Sequence, residues 1–178
     1  ESLDGANRVR RIVQDLKSFS RLDQAESTHV NLNECLDTTI NIAWNELKYI
    51  ATLERQFGEL PEVVCNPQQL NQVFLNLLVN AAQAMEQQGV ITVKTWAETG
   101  FVCVSIADTG KGMPEEVQRH VFEPFYTTKP AGKGTGLGLS ISADIVRKHH
   151  GDITVTSEAG KGTIFTVRLP MDKEKTES

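Results

Sequence analysis

The chain has 178 residues, a net charge of -5, 39% hydrophobic residues and 23% charged residues. This length suits one domain, with or without an appendage, and it is long enough to bury a core. The composition excludes a disordered polymer and a nucleic-acid binder that relies on bulk positive charge. Since no apolar run approaches the roughly 18 residues of a membrane span, we expect a soluble chain, with any membrane anchor upstream of Glu1.

The three cysteines, Cys35, Cys65 and Cys103, are far apart and match no zinc-ligand spacing. Their odd number and wide separation are typical of buried thiols in a reducing compartment. We therefore predict free cysteines and a cytoplasmic location.

The first predicted element is an amphipathic helix over residues 6–21, whose apolar residues recur at steps of three and four. It needs a partner for its apolar stripe, either the rest of the chain or another helix. Residues 22–31 show little periodicity and predict a linker. We therefore divide the chain into a helical segment (1–24), a linker (25–32), a main domain (33–170) and a charged tail (171–178).

The main domain mixes helices with alternating strands. Helices are predicted over residues 33–49, 68–87 and 136–149, with a short one near Glu115. Asn66 is the expected cap and Pro67 the expected first residue of the second helix. Strands are predicted over residues 50–57, 63–65, 90–96, 101–107, 153–156 and 163–169, and two of the connections resemble hairpin turns. This pattern predicts an α+β fold with helices on one face of a mainly antiparallel sheet.

Glycine is average in number but not in distribution. Eight of the 13 glycines fall in three clusters, at residues 110–112, 132–138 and 160–162. Glycine clusters at strand ends that lead into helices often bring backbone close to phosphates. Neither a P-loop nor a Rossmann glycine motif is present, so a different nucleotide site is indicated.

Polar residues at fixed places complete this pattern. Asn76 and Asn80 share one helix face, and their amide oxygens suit Mg²⁺ when a nucleotide supplies the remaining ligands. Asp108, at a strand end beside Gly110 and Gly112, suits an exocyclic amine of a base. Alternatively, the two asparagines are polar helix caps and Asp108 is a turn residue.

The order of these segments resembles a known family. NLLVNAAQAM, DTGKGMP, VFEPFYTTK, GKGTGLGLSIS and GKGTIFTVRLP resemble the N, G1, F and G2 boxes and the final hairpin of bacterial sensor histidine kinases. The resemblance covers residues 66–170 and implies the two-layer ATP-binding fold of the superfamily shared with gyrase. DLKSFSR, ending at Arg21, resembles the second helix of the family's dimerisation and phosphotransfer domain.

The resemblance implies roles for individual residues. Asp108 would bind the adenine amino group, and Asn80 would bind Mg²⁺. Asn76 would lie near the phosphates, and Lys129 would add positive charge there; these two are the predicted catalytic residues. Gln83 is also a predicted nucleotide-binding residue, at a position where many relatives have lysine. The remaining predicted nucleotide-binding residues are Gly110, Gly112, Met113, Lys133, Gly134, Thr135, Gly136, Leu137, Gly138, Leu139 and Thr163.

Asn76 also bears on the reaction type. Hydrolases of the superfamily carry a glutamate here as general base, and an asparagine is a poor base. The sequence therefore favours phosphoryl transfer to a protein over hydrolysis of ATP.

The sequence shows no counterpart of the histidine that accepts the phosphoryl group in the resembling family. The four histidines, His29, His120, His149 and His150, lack the family's acceptor context, so we expect binding of Mg-ATP or ADP without autophosphorylation. Expected partners are the chain's own dimerisation helices in a homodimer and the receiver domain of a response regulator, with no nucleic acid. A serine-kinase module of the anti-sigma type, a nucleotide-binding regulatory module and an interaction protein without catalysis are the alternatives.

Overall fold

The computed structural model describes residues 26–126 and 137–171. Strands and helices alternate along these residues in an order close to the predicted one. The elements are β1 (Thr28–Val30), α1 (Leu32–Leu47), β2 (Ala51–Phe57), β3 (Val63–Cys65), α2 (Pro67–Gln83), β4 (Gly89–Glu98), β5 (Phe101–Asp108), α3 (Glu115–Gln118), α4 (Gly138–Lys148), β6 (Asp152–Glu158) and β7 (Gly162–Pro170).

Five strands form one mixed sheet in the order β2-β4-β5-β7-β6. β2 pairs with β4 in parallel, and every other pair in this sheet is antiparallel. Both predicted hairpins are present, β4 with β5 and β6 with β7. The register places Asp108 of β5 opposite Thr163 of β7, at the end of the sheet where β5 stops. The predicted α+β class, with a mainly antiparallel sheet, is confirmed.

α2 is the central helix of the core. Leu70, Phe74, Leu77 and Leu78 are each at most 1% exposed, as its broad apolar face predicts. α1 and α4 pack on either side of it. Burying a side chain of this size stabilises the fold by about 1.5–3 kcal/mol, so α2 is held rigidly and can position polar groups on its other face.

The start of α2 is capped as predicted. The Asn66 side chain accepts hydrogen bonds from the backbone N–H groups of Gln68 and Gln69, at 3.1 Å each, and Pro67 is the first helical residue. The backbone N–H of Asn66 donates to Nε2 of His149 at 3.0 Å, while Nδ1 of His149 lies 2.8 Å from the Ile145 carbonyl oxygen. The His149 ring therefore joins α4 to the start of α2 through both of its nitrogens.

The structure differs from the linker prediction at Thr28–Val30. These residues form β1, which pairs antiparallel with β3 so that Thr28 lies opposite Cys65. Three residues are too few to show periodicity, and the partner strand comes more than 30 residues later in the chain. β1 therefore belongs with the main domain, and Leu32, directly after it, is fully buried.

All three cysteines are free and buried, as predicted. Burial raises the pKa of each thiol, and with the nearby Cys35 it raises the pKa of Cys65 to about 12. These thiols are therefore poor nucleophiles at neutral pH. Within the described residues, every helix is too short or too polar to cross a bilayer.

Candidate functional site

One face of α2 connects the two ends of the candidate site. Asn76, Asn80 and Ala84 follow one another at intervals of four residues, so they lie on the same side of the helix. Asn76 contacts the start of α4, and the carbonyl oxygen of Ala84 accepts a hydrogen bond at 3.0 Å from the backbone N–H of Lys111. Eight residues of α-helix span about 12 Å, so α2 sets the separation of the two ends of the site.

At one end, Asn76 links α2 to α4. Its Nδ2 donates to the Gly138 carbonyl oxygen and to Ser142 Oγ, at 3.1 Å each, and its Oδ1 accepts from Gln72 at 2.8 Å. Ser142 Oγ also donates to the Gly138 carbonyl at 2.8 Å. Both ends of the Asn76 amide are therefore engaged within the protein, and they fix where α4 begins relative to α2.

At the other end, Asp108 closes β5 with only 8% of its surface exposed. Its Oδ1 accepts a hydrogen bond from the Gly110 backbone N–H at 2.8 Å. Burial raises the pKa of Asp108 above its ordinary value of 3.8, and hydrogen bonds from the backbone of Gly110 and Thr163 oppose part of that rise. A carboxylate held at a desolvated strand end can accept strongly from an exocyclic amine.

The loop after Asp108 is fixed by backbone contacts on both sides. Lys111 donates to Ala84 of α2, and its carbonyl oxygen accepts from the Gly160 backbone N–H at 2.7 Å. Gly112 has a φ of 66°, and a Cβ there would collide with the Glu158 carbonyl oxygen. At Gly110 a Cβ would collide with the Ala84 carbonyl oxygen. These two glycines therefore allow the loop to fit between α2 and the β6–β7 turn.

Two polar residues that the sequence motifs did not identify hold the next part of this loop. Ser157 Oγ accepts from the Met113 backbone N–H at 2.8 Å and lies 2.8 Å from both Thr163 Oγ1 and the Gly162 carbonyl oxygen. Gln118 Nε2 donates to the carbonyl oxygens of Met113 and Ser157, at 2.9 Å each. The contact of Ser157 with Met113 spans 44 residues and that of Gln118 with Ser157 spans 39, so no local spacing indicates this role.

Asn80 and Gln83 lie on α2 between the two ends. Asn80 is half-buried and Gln83 is exposed. Within the described residues, His, Cys, Asp and Glu form no group of three that could hold a metal ion by themselves. A Mg²⁺ ion here would fit only the mode in which an amide oxygen supplies one ligand and phosphates and water supply the others.

The remaining predicted residues are only partly described. Leu137 is buried and directly precedes α4, Gly138 is the first residue of α4, and Leu139 packs against the core. The side chains of Leu137 and Leu139 are therefore occupied by packing, so their backbone is what they can offer a ligand. Lys129, Lys133, Gly134, Thr135 and Gly136 lie outside the described residues.

The two phenylalanines of the F-box segment have different surroundings. Phe122 packs edge-on against Phe165 of β7, with ring centroids 6.1 Å apart. Phe125 is 55% exposed and has a φ of 66°, which is rare for a bulky residue. Phe122 therefore anchors this segment to the sheet, whereas Phe125 projects from it.

Comparison with protein families and curated proteins gives a consistent result. The family model described as "Histidine kinase-, DNA gyrase B-, and HSP90-like ATPase" matches residues 65–173. Sporulation kinase C of Bacillus subtilis is 39% identical over 150 residues, covering 83% of this chain and 34% of that protein. The sensor histidine kinase ZraS of Escherichia coli is 37% identical over 174 residues, covering 94% of this chain and 36% of that protein. The chain thus spans about a third of the length of these relatives.

Solved structures agree with this comparison. The catalytic domain of the histidine kinase ThkA superimposes with a TM-score of 0.75 at 30% identity, covering 84% of this chain and 99% of that one. Full-length ShkA in complex with AMPPNP gives a TM-score of 0.80 at 25% identity, covering 93% of this chain and 36% of that one. The fold of the described residues is therefore that of histidine kinase catalytic domains.

Proposed function

Because this chain belongs to the histidine kinase-, DNA gyrase B- and HSP90-like ATPase family, we propose that it is the ATP-binding catalytic part of a bacterial sensor histidine kinase. In this proposal it transfers the γ-phosphoryl group of Mg-ATP to a histidine outside this chain. The family match covers residues 65–173, and the relatives compared above are kinases by name. A bound ATP analogue is described for one structural neighbour, ShkA.

The observation that carries the proposal is the way α2 joins the two ends of the site. Asp108 lies at one end, beside the loop fixed to Ala84, and the start of α4 lies at the other, fixed to Asn76. We place the adenine against Asp108 and Thr163, with the exocyclic amine donating to the carboxylate. The triphosphate then follows α2 towards Gly138, where a helix start favours anions.

The metal is held in this proposal by Asn80 together with the phosphates. Mg²⁺ keeps an octahedral shell of hard oxygen ligands, so a single amide oxygen completes a shell made mostly of phosphate and water oxygens. The ion would neutralise charge on the transferring phosphoryl group. Lys129 and Lys133 are proposed to add positive charge, and Asn76 to keep the start of α4 in place beneath the phosphates.

The wider assignments concern the whole parent protein. We assign residues 1–24 to the end of a dimerisation helix, and we propose a homodimer that passes the phosphoryl group from histidine to an aspartate of a response regulator. We also place the domain in the cytoplasm, where ATP is available and where free thiols such as the three buried cysteines persist.

Binding and chemistry are tested separately. Calorimetric titration of the chain with AMPPNP, with and without Mg²⁺, should give saturable binding that Mg²⁺ strengthens, and GMPPNP should bind more weakly. Incubation of the full-length parent with ATP labelled in the γ-phosphate should give an acid-labile, alkali-stable phosphoprotein, as phosphohistidine requires. An acid-stable product on a partner protein would instead indicate a serine kinase.

A further inference from the structure

The segment Gly112–Met113 lies between β5 and α3 and borders the proposed adenine position. Backbone hydrogen bonds hold it on the side of Lys111, and side chains hold it on the side of Met113. Ser157 Oγ receives the Met113 N–H, and Gln118 Nε2 reaches the Met113 carbonyl oxygen. Both polar groups of the Met113 backbone are thus held by residues that no sequence motif indicated.

We propose that Ser157 and Gln118 are positioning residues for the adenine of the nucleotide. This inference rests on the proposed function, since it assigns a further role within the same site. Together the two side chains form what we call the Ser157–Gln118 clamp. The clamp holds the Gly112–Met113 backbone against β6 and β7, next to the Asp108–Thr163 rung of the sheet, and so sets where this backbone lies relative to a base bound at Asp108.

The register of the sheet supports this assignment. Ser157 lies directly opposite Thr163, and Thr163 lies directly opposite Asp108. Ser157 Oγ is 2.8 Å from Thr163 Oγ1, so the clamp contacts the rung that carries the adenine acceptor. A shift of Met113 is therefore coupled through Ser157 to Thr163, the residue that lies opposite Asp108.

The geometry at Gln118 strengthens the coupling. One Nε2 group donates to two carbonyl oxygens at 2.9 Å each, one on the loop and one on β6. Its own helix, α3, has four residues, and the Pro114 cap gives it no side-chain hydrogen bond. A helix this short is only marginally stable by itself. The single Gln118 side chain therefore holds both α3 and the loop against the sheet.

Gln118→Met tests the proposal, because it keeps the length of the side chain and removes the donor. Without these two hydrogen bonds the loop must be ordered when ADP binds, and we expect this cost to lower the affinity for ADP about tenfold. Titrations are done at a temperature where every variant is folded by circular dichroism, so that loss of global stability does not change the measured affinity. Gln56→Met, on the exposed edge strand β2, is the matched control and should bind as the unsubstituted chain does.

A double-substitution cycle with Asp108→Asn distinguishes an effect of Gln118 on the position of the adenine from a general loss of order in the site. If the clamp acts through the adenine contact, Gln118→Met should cost much less than tenfold once Asp108 is replaced. Equal losses in both backgrounds, or no loss in either, would overturn the proposal. If Gln118→Met does not fold, Ser157→Ala gives the same comparison. Failure of the unsubstituted chain to bind ADP would overturn the proposed function itself, whereas normal binding by Gln118→Met and Ser157→Ala overturns only the clamp.

Discussion

Asp108→Asn should weaken nucleotide binding without weakening the fold. The asparagine keeps an oxygen that can accept the Gly110 N–H, now 2.8 Å from the carboxylate, so the loop contact is retained. With that oxygen held by Gly110, the amide nitrogen replaces the second carboxylate oxygen, so the variant loses the negative charge and presents a donor to the adenine amine. A hydrogen bond to a charged group contributes about 1.5–3 kcal/mol, so the affinity for ADP should fall roughly 10- to 100-fold.

The pKa of Asp108 gives the sign of the stability effect. Burial raises this pKa in the folded chain above the ordinary value of 3.8, so the folded state binds more protons than the unfolded state between the two values. The free energy of unfolding therefore falls as pH rises through this window, and the folded chain carries the cost of a desolvated carboxylate above it. The Asp108→Asn variant has no such cost. Its free energy of unfolding, relative to that of the unsubstituted chain, should therefore increase as the pH rises above 3.8 and then reach a plateau.

Two measurements check this expectation. Calorimetric titration with ADP gives the affinity, and urea unfolding at several pH values gives the free energy of unfolding. Asp144→Asn, an exposed position on α4 paired with Arg147, is the control and should leave ADP binding unchanged. Unchanged affinity in Asp108→Asn would remove Asp108 from the adenine contact. A marked loss of stability near pH 7 would show that the carboxylate stabilises the loop more than its burial costs.

Five further substitutions test the geometry. Gly112→Ala should lower the free energy of unfolding in urea clearly more than Gly100→Ala does. Both glycines have a positive φ, so Gly100→Ala should cost about 1–2 kcal/mol. Only at Gly112 would the new Cβ also collide with a carbonyl oxygen. His149→Phe should cost about 1–3 kcal/mol because the Asn66 N–H loses its acceptor, whereas His150→Gly should stabilise the chain, since His150 has a φ of 60°. Gly138→Ala should keep or slightly raise the melting temperature, since the nearest atom to the new Cβ is Asn76 Cγ at 3.8 Å. A lower affinity for ADP in that variant would show that a phosphate lies close to the backbone at this position.

The parts of the fold that could be predicted from sequence are those with local signals. α2 shows them best, because a cap at Asn66, a proline at position 67 and a broad apolar period all mark the same helix. The β4–β5 hairpin is similar, since two alternating runs flank a short turn that contains Gly100. The sequence also predicts Asn76 and Asn80 on one helix and Asp108 at the end of a strand, and these residues lie on α2 and at the end of β5.

The parts that could not be predicted depend on contacts between distant residues. β1 has only three residues and acquires its strand conformation from β3. Gln118 and Ser157 are ordinary surface residue types, and only the packing of α3 against β6 shows that they hold Met113. The requirement for glycine at position 112 also depends on a distant contact. A Cβ there would collide with the carbonyl oxygen of Glu158 in the β6–β7 turn, which a sequence motif cannot show.

Asn76 shows how one position can serve both the fold and the type of reaction. Its amide nitrogen donates to Gly138 and Ser142, and its oxygen accepts from Gln72, so both ends are used to hold α4 against α2. A glutamate at this position has no donor and would bring a negative charge to the Gly138 carbonyl oxygen, which would disturb the start of α4. An amide is also too weak a base to remove a proton from water. In the proposed kinase, the same side chain would keep the helix start in place and leave water unactivated, which suits phosphoryl transfer to a protein acceptor better than hydrolysis.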